Sequence, residues 1–197
     1  MRIVESTCDS IRHMRRAKAV APFIILLAIC SLPREALAAS QPGDYSFFAG
    51  IGESGTKSDN SYRADQSLTF SVQYQKSGYA AYRASTGFFS LNGRETISPS
   101  IGTRDANAFF LTGDVLFTPR FRMVNPYLAG GLGFYDVRLT DSRDSKNEVA
   151  IGINWGIGLN VQLLRWFAIH GELSYHYMTG DIPNPVQLIT VGGRFDF

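Results

Sequence analysis

Between residues 151 and 162 the chain alternates without a break. Ile151, Ile153, Trp155, Ile157, Leu159 and Val161 hold one parity; Gly152, Asn154, Gly156, Gly158, Asn160 and Gln162 hold the other. Successive side chains of a strand point to opposite faces, so a period of two describes a strand with one apolar and one small or polar face. The pattern recurs at 167–178, where Phe167, Ile169, Leu173, Tyr175 and Tyr177 oppose His170, Glu172, Ser174 and His176. At 187–197, Ile189, Val191, Phe195 and Phe197 oppose Thr190, Gly192, Arg194 and Asp196. Leu68, Phe70, Val72 and Tyr74 form another such face, and so do Phe109, Leu111, Val115 and Phe117. Segments 44–53, 79–90 and 126–138 complete a predicted set of eight strands, with Gly130, Gly131 and Gly133 leaving the parity of 126–138 open. No stretch from residue 40 onward carries the 3.6 period of an amphipathic helix.

The connections narrow the topology. Gaps at 54–65, 91–106, 139–148 and 179–186 are long and polar, and those at 76–78, 118–125 and 163–166 are shorter. Their alternation predicts an up-and-down barrel with tight turns at one rim and loops at the other. If the apolar face pointed inward, as in a soluble lipocalin-type binder, Ile, Trp, Leu and Phe from every strand would crowd a lumen only wide enough for side chains. The outside would be left with Gly, Asn, Ser, Gln and Thr and too few charges for a soluble surface. Pointed outward, the apolar face meets lipid, where a sheet must close because no water can satisfy a free edge. Tyr45, Tyr74, Tyr82, Phe117, Tyr127, Trp166, Phe167 and Phe195 fall toward short-turn ends, and Phe88, Phe109, Tyr135, Tyr175 and Tyr177 toward long-loop ends. Two such aromatic belts are expected at two membrane interfaces. The expected fold is therefore all-β: an eight-stranded antiparallel up-and-down transmembrane β-barrel over residues 44–197, acting as a monomer.

Residues 1–38 read as a cleaved signal peptide. Arg12, Arg15, Arg16 and Lys18 precede the apolar run Ala19–Leu32, which is followed by Ala36-Leu37-Ala38. These are a positive n-region, an h-region and an A-x-A cleavage site. The run holds Pro22 and is short for a membrane anchor. Both cysteines, Cys8 and Cys30, lie in this segment, so the remaining chain has no thiol for disulfides, zinc or nucleophilic catalysis. Residues 39–197 carry 13 basic and 14 acidic side chains, which excludes a basic nucleic-acid-binding domain.

Three stretches resemble the small OmpA-type outer-membrane β-barrel proteins of Gram-negative bacteria. Asn125-Pro-Tyr-Leu-Ala-Gly-Gly-Leu-Gly-Phe-Tyr135 is similar to that family's Pro-Tyr-x-x-x-Gly-x-Gly strand, and Gly152–Gly158 to its glycine-alternating sixth strand. The ending Val191-Gly-Gly-Arg-Phe-Asp-Phe197 is similar to its C-terminal insertion signal, carried by Val191, Phe195 and Phe197. The resemblance implies residence in the cell outer membrane among lipid and lipopolysaccharide, and insertion by the barrel assembly machinery. It also allows a surface ligand at the loops. It implies no common activity, because the fold hosts adhesins, structural proteins and a few enzymes.

The residues offer little chemistry. His170, Glu172, Ser174 and His176 share one strand face, a set able to hold nucleophile–base contacts but also to pack a polar lumen. His176-Tyr-Met-Thr-Gly-Asp-Ile-Pro-Asn-Pro is distantly similar to the lipid A deacylase motif, but Met178 stands where that family's nucleophilic serine belongs, and Thr190 falls near its acidic position. His170 and His176 are about 20 Å apart along one strand, too far to share an ion, so neither metal nor other cofactor is expected. Eight strands leave a porin-like wall without an open aqueous bore. The remaining candidates are Arg83, Asp114, Glu172, Arg194 and Asp196, all on the inward parity, where unpaired charge would be costly. Heights along the strands pair Arg83 with Asp114 and Arg194 with Glu172 and leave Asp196 nearest bulk water. The reading is a non-enzymatic outer-membrane barrel with a structural or surface-interaction role and a charged, polar lumen; the alternative is a lipid A deacylase-like outer-membrane enzyme.

Overall fold

The computed structural model describes residues 43–56, 62–93, 104–119, 121, 123–141, 145–180 and 185–197; the signal-peptide expectation for residues 1–38 falls outside them. Eight strands follow in order: β1 (Tyr45–Thr56), β2 (Tyr62–Gln75), β3 (Ala80–Gly93), β4 (Arg104–Phe117), β5 (Val124–Asp141), β6 (Ser145–Leu164), β7 (Phe167–Met178) and β8 (Val186–Asp196). Each pairs antiparallel with its sequence neighbours, and β8 pairs with β1 to close the barrel. Every predicted strand is present. The connection at 139–148 is mostly strand, because β5 and β6 stay paired up to Thr140 and Ser145.

The alternation has the lipid-facing sense. On β6, Ile151, Ile153, Trp155, Ile157 and Leu159 are exposed, while Gly152, Asn154, Gly156, Asn160 and Gln162 are buried or nearly so. The parity left open for β5 is settled by the same measure. Leu128, Gly130, Leu132 and Phe134 face out, and Tyr127, Ala129, Tyr135, Val137 and Leu139 face in. Tyr127 and Tyr135 therefore leave the predicted aromatic belts and enter the lumen. Phe88, Phe109 and Tyr177 at one end, and Tyr45, Tyr82, Phe117 and Trp166 at the other, are exposed on the outer wall.

Toward the long-loop end the pattern inverts. The outward series Phe109, Asn107, Asp105 on β4 and Phe134, Asp136, Arg138, Thr140 on β5 pass from apolar to polar. At the same height the lumen becomes apolar: Phe89, Leu91, Ala106, Ala108, Phe110, Val137, Leu139, Ala150, Met178, Val186 and Leu188 form one buried cluster with Tyr135. Within the bilayer the outside is the apolar solvent. Beyond it the outside is water, so the interior is where apolar side chains go. The expectation of a lumen filled only by small and polar side chains is thus corrected: the short-turn half is mostly polar around a small apolar cluster of Ala81, Leu116, Tyr127 and Ala129, and the far half has an apolar core.

Candidate functional site: ion pairs across the lumen

The short-turn half of the lumen is organised by Arg83. It projects from β3, while Glu172 projects from β7, four strands away in either direction and hence on the opposite wall. Arg83 Nε donates to Asp114 Oδ2 at 2.9 Å, across the β3–β4 ladder where the register sets these residues opposite each other. Its Nη1 donates to Glu172 Oε2, and Nη2 donates to Glu172 Oε1 at 3.1 Å. One planar guanidinium fork thus ties two walls and two carboxylates. The Tyr127 hydroxyl also donates to Glu172, and the Arg83 guanidinium lies 5.7 Å from the centre of the Tyr127 ring. Asn154 Nδ2 donates to the second Asp114 oxygen at 2.6 Å. The ring nitrogens of His170 lie 3.0 Å from the Tyr127 hydroxyl and 2.7 Å from Asn160 Oδ1.

Glycines make room for this cluster. Tyr127 sits opposite Gly158 and Asp114 opposite Gly131 in the ladders. A Cβ added at Gly158 would overlap the Tyr127 ring, and one at Gly131 would overlap the Asp114 carboxylate and the Gly113 carbonyl.

A second network closes the short-turn rim. Arg194 Nε donates to Asp196 Oδ1 at 2.8 Å and Nη2 to Ser46 Oγ at 2.9 Å. Ser46 Oγ donates to Asp196 Oδ1 at 2.7 Å, and Gln162 Nε2 to Asp196 Oδ2 at 2.9 Å. Two expectations change here. Glu172 pairs with Arg83 rather than Arg194, because the β7–β8 register sets Glu172 opposite Thr190 and Arg194 opposite Ala168, four residues away along β7. Asp196 is held inside rather than left to bulk water.

The face that suggested a nucleophile also turns inward. Ser174 Oγ lies 3.2 Å from His176 Nε2, and His176 Nδ1 lies 2.8 Å from the Tyr135 hydroxyl. All three side chains are buried, as are Met178 and Thr190. The adjoining cavity, lined by Ser71, Arg83, Asn154 and Ser174 among others, is about 20 Å³, room for about one water molecule. A lipid chain on the outer wall does not meet this hydroxyl–imidazole pair. Of the insertion-signal residues, Val191 and Phe197 are exposed on the outside, and Phe195 lies half-buried with its ring centre 5.3 Å from that of Phe167.

Ser46, Asn154, Asn160 and Gln162, which the sequence reading did not single out, and Tyr127 and Tyr135, which it placed in the aromatic belts, complete these networks. A signal for one of them existed: a large residue facing a glycine on the next strand, as Tyr127 faces Gly158, is one that needs the lumen.

A closed antiparallel barrel with an apolar outer belt and a packed polar interior defines an outer-membrane β-barrel protein. The chain belongs to the outer membrane protein beta-barrel domain family, whose model matches residues 23–195. No curated protein matches it in sequence. Among solved structures, the N-terminal β-barrel domain of Pseudomonas aeruginosa OprF is similar at 15% identity and TM-score 0.58, covering 81% of this chain and 100% of that one. Pseudomonas aeruginosa OprG is similar at 12% identity and TM-score 0.61, covering 81% and 98%. The attachment invasion locus protein Ail of Yersinia pestis is similar at 18% identity and TM-score 0.55, covering 80% and 100%. At these identities the likeness establishes the fold. The protein resides in the outer membrane of a Gram-negative bacterium.

Proposed function

We propose that the protein is a non-enzymatic barrel whose lumen is a plug and whose work is done at its surface, as a structural element of the outer membrane or through its loops. The long-loop end then faces outside the cell and the turn around Lys76-Ser77-Gly78 faces the periplasm. The observation that carries this reading is the Arg83 bridge between opposite walls, stacked against the apolar cluster above it. Among the described residues, the ion pairs occupy the short-turn half of the lumen and the apolar cluster the long-loop half, which supports a plugged interior. The buried position of Ser174, His176 and Met178 argues against the deacylase alternative. Mass analysis of lipid A from cells with and without the protein separates the two: unchanged acylation is expected, and a missing acyl chain would establish an enzyme.

A further inference from the structure

Two strands outrun β7 at the long-loop end. β5 and β6 stay paired up to Thr140 and Ser145, whereas the β6–β7 ladder stops at Gly152 and Met178. One further contact follows: Thr179 N donates to the Ile151 carbonyl at 2.9 Å, and Ile151 N donates to Thr179 Oγ1 at 3.2 Å. Gly180 then takes a φ of 96°, a left-handed turn that glycine adopts without strain and that leads the chain away from β6. From Ala150 back to Ser145, β6 therefore has no strand on that side among the described residues. Alternate residues of an antiparallel strand direct their N–H and C=O groups to the same side. Ile151 directs its groups toward β7, so Asn147 and Val149 point the same way. They leave two donors and two acceptors that the β5 ladder does not use.

This edge lies beyond the aromatic belt. Ile153 pairs with Tyr177 of that belt, and Val149 is four residues, about 13 Å of strand, nearer the rim. Val149 is nonetheless apolar and 77% exposed. Folded proteins blunt such edges with charge, proline or a bulge. The far edge of the protruding sheet does so: β2 runs past the end of the β1–β2 ladder at Asp65, and its register with β3 shifts between Ala64 and Ser67. On β6 the register with β5 is unbroken, residues 145–151 hold no proline, and their one lysine, Lys146, is paired with Glu148 at 3.4 Å. Donors and acceptors repeated every two residues fit another extended backbone. A second copy in the same membrane does not supply it, because its β6 would run in the same sense and the two tilted strands would cross. We propose that the β6 edge at Asn147–Val149 takes up an extended polypeptide segment from outside the cell as an added antiparallel strand. The residue set opposite Val149 exchanges both backbone bonds with it and shares its outward face, so an apolar side chain is favoured there. This rests on the surface role and orientation proposed above and adds the chemistry of the partner.

The test is amide hydrogen exchange of the full barrel in phosphatidylcholine nanodiscs, alone and with a soluble peptide of alternating threonine and valine. Alone, the Asn147 and Val149 amides should exchange freely, while those of Glu148 and Ala150, directed at β5, should be slow. Peptide at ten times its Kd should slow Asn147 and Val149 by about tenfold. N-methylation of the peptide's valines should abolish the slowing, and N-methylation of its threonines should not. V149P removes an N–H on the unpaired side, so the barrel should still fold by heat-modifiable gel migration while Asn147 loses the slowing. A150P, which removes a bond to β5, should destabilise the barrel. Slow exchange at Asn147 and Val149 without peptide would mean that this chain covers its own edge, and would overturn the proposal. So would no slowing at millimolar peptide, or full slowing in V149P or with methylated valines. Such a failure leaves the non-enzymatic reading standing, because lipid A acylation is scored in cells without peptide; a missing acyl chain would overturn that reading and leave the edge result intact.

Discussion

Replacing Arg83 by methionine keeps most of the side-chain volume and removes the only cation bonded to Asp114 and Glu172 among the described residues. Asp114 would keep its bond from Asn154, and Glu172 its bond from Tyr127, but two carboxylates would remain inside a narrow lumen with no countercharge. Removing one partner of a buried pair costs about 3–5 kcal/mol, most of it from the charge left behind. In urea, with slopes of about 1–3 kcal/mol/M, that lowers the unfolding midpoint by about 1 M or more. Both tryptophans, Trp155 and Trp166, are exposed on the outer wall, so their emission reports loss of the lipid environment as R83M unfolds from vesicles. The triple variant R83M/D114N/E172Q should recover much of the loss, because it leaves no orphaned charge. An R83M midpoint equal to that of wild type would refute the cross-lumen bridge as a stabilising element. A triple variant no better than R83M would refute charge as the cause.

Other outcomes follow from the same geometry. G131A should destabilise by about 1–3 kcal/mol, since its methyl group would overlap the Asp114 carboxylate and a backbone carbonyl, whereas G130A, facing open space on the outer wall, should stay within about 0.5 kcal/mol by the same urea assay. Deleting Phe197 removes one backbone bond, its N–H to the Tyr45 carbonyl at 2.9 Å, and should cost refolded protein only about 0.5–1.5 kcal/mol. The same deletion, or a charged tag after Phe197, should sharply reduce insertion in cells if Val191, Phe195 and Phe197 act as the assembly signal; undiminished heat-modifiable protein in outer-membrane fractions would count against it. A cysteine at Ser77 should resist a membrane-impermeant thiol reagent in intact cells and react after lysis, and labelling in intact cells would reverse the proposed orientation.

Strand number, pairing order and the outward sense of the apolar face were legible because each rests on a period of two repeated in every segment. β6 alone places six apolar residues on one parity, and a one-residue slip there would turn all of them into the lumen. β5 was harder for a physical reason. Gly130, Gly131 and Gly133 occupy both parities and have no side chain to declare a face, so Tyr127 and Tyr135 passed for interface aromatics. The Arg83–Asp114 contact follows from two adjacent strands whose heights can be counted from their short-turn ends. Glu172 could not be paired in this way. Its partner lies across the lumen, and a diametric contact depends on barrel diameter and strand stagger, which no local pattern encodes. The apolar core at the long-loop end was hidden by a switch in meaning: Leu91, Val137 and Leu139 sit on the parity that is polar lower down, because water replaces lipid as the outer solvent.

The claim that the lumen is a plug, with function confined to the surface, is tested most directly by conductance of purified protein in planar lipid bilayers. The ion pairs across the lower lumen and the apolar cluster above them predict a flat current trace at moderate voltage. Reproducible, long-lived conductance steps from the wild-type protein would mean that a continuous aqueous path runs past Arg83 and Phe110, and would contradict the account.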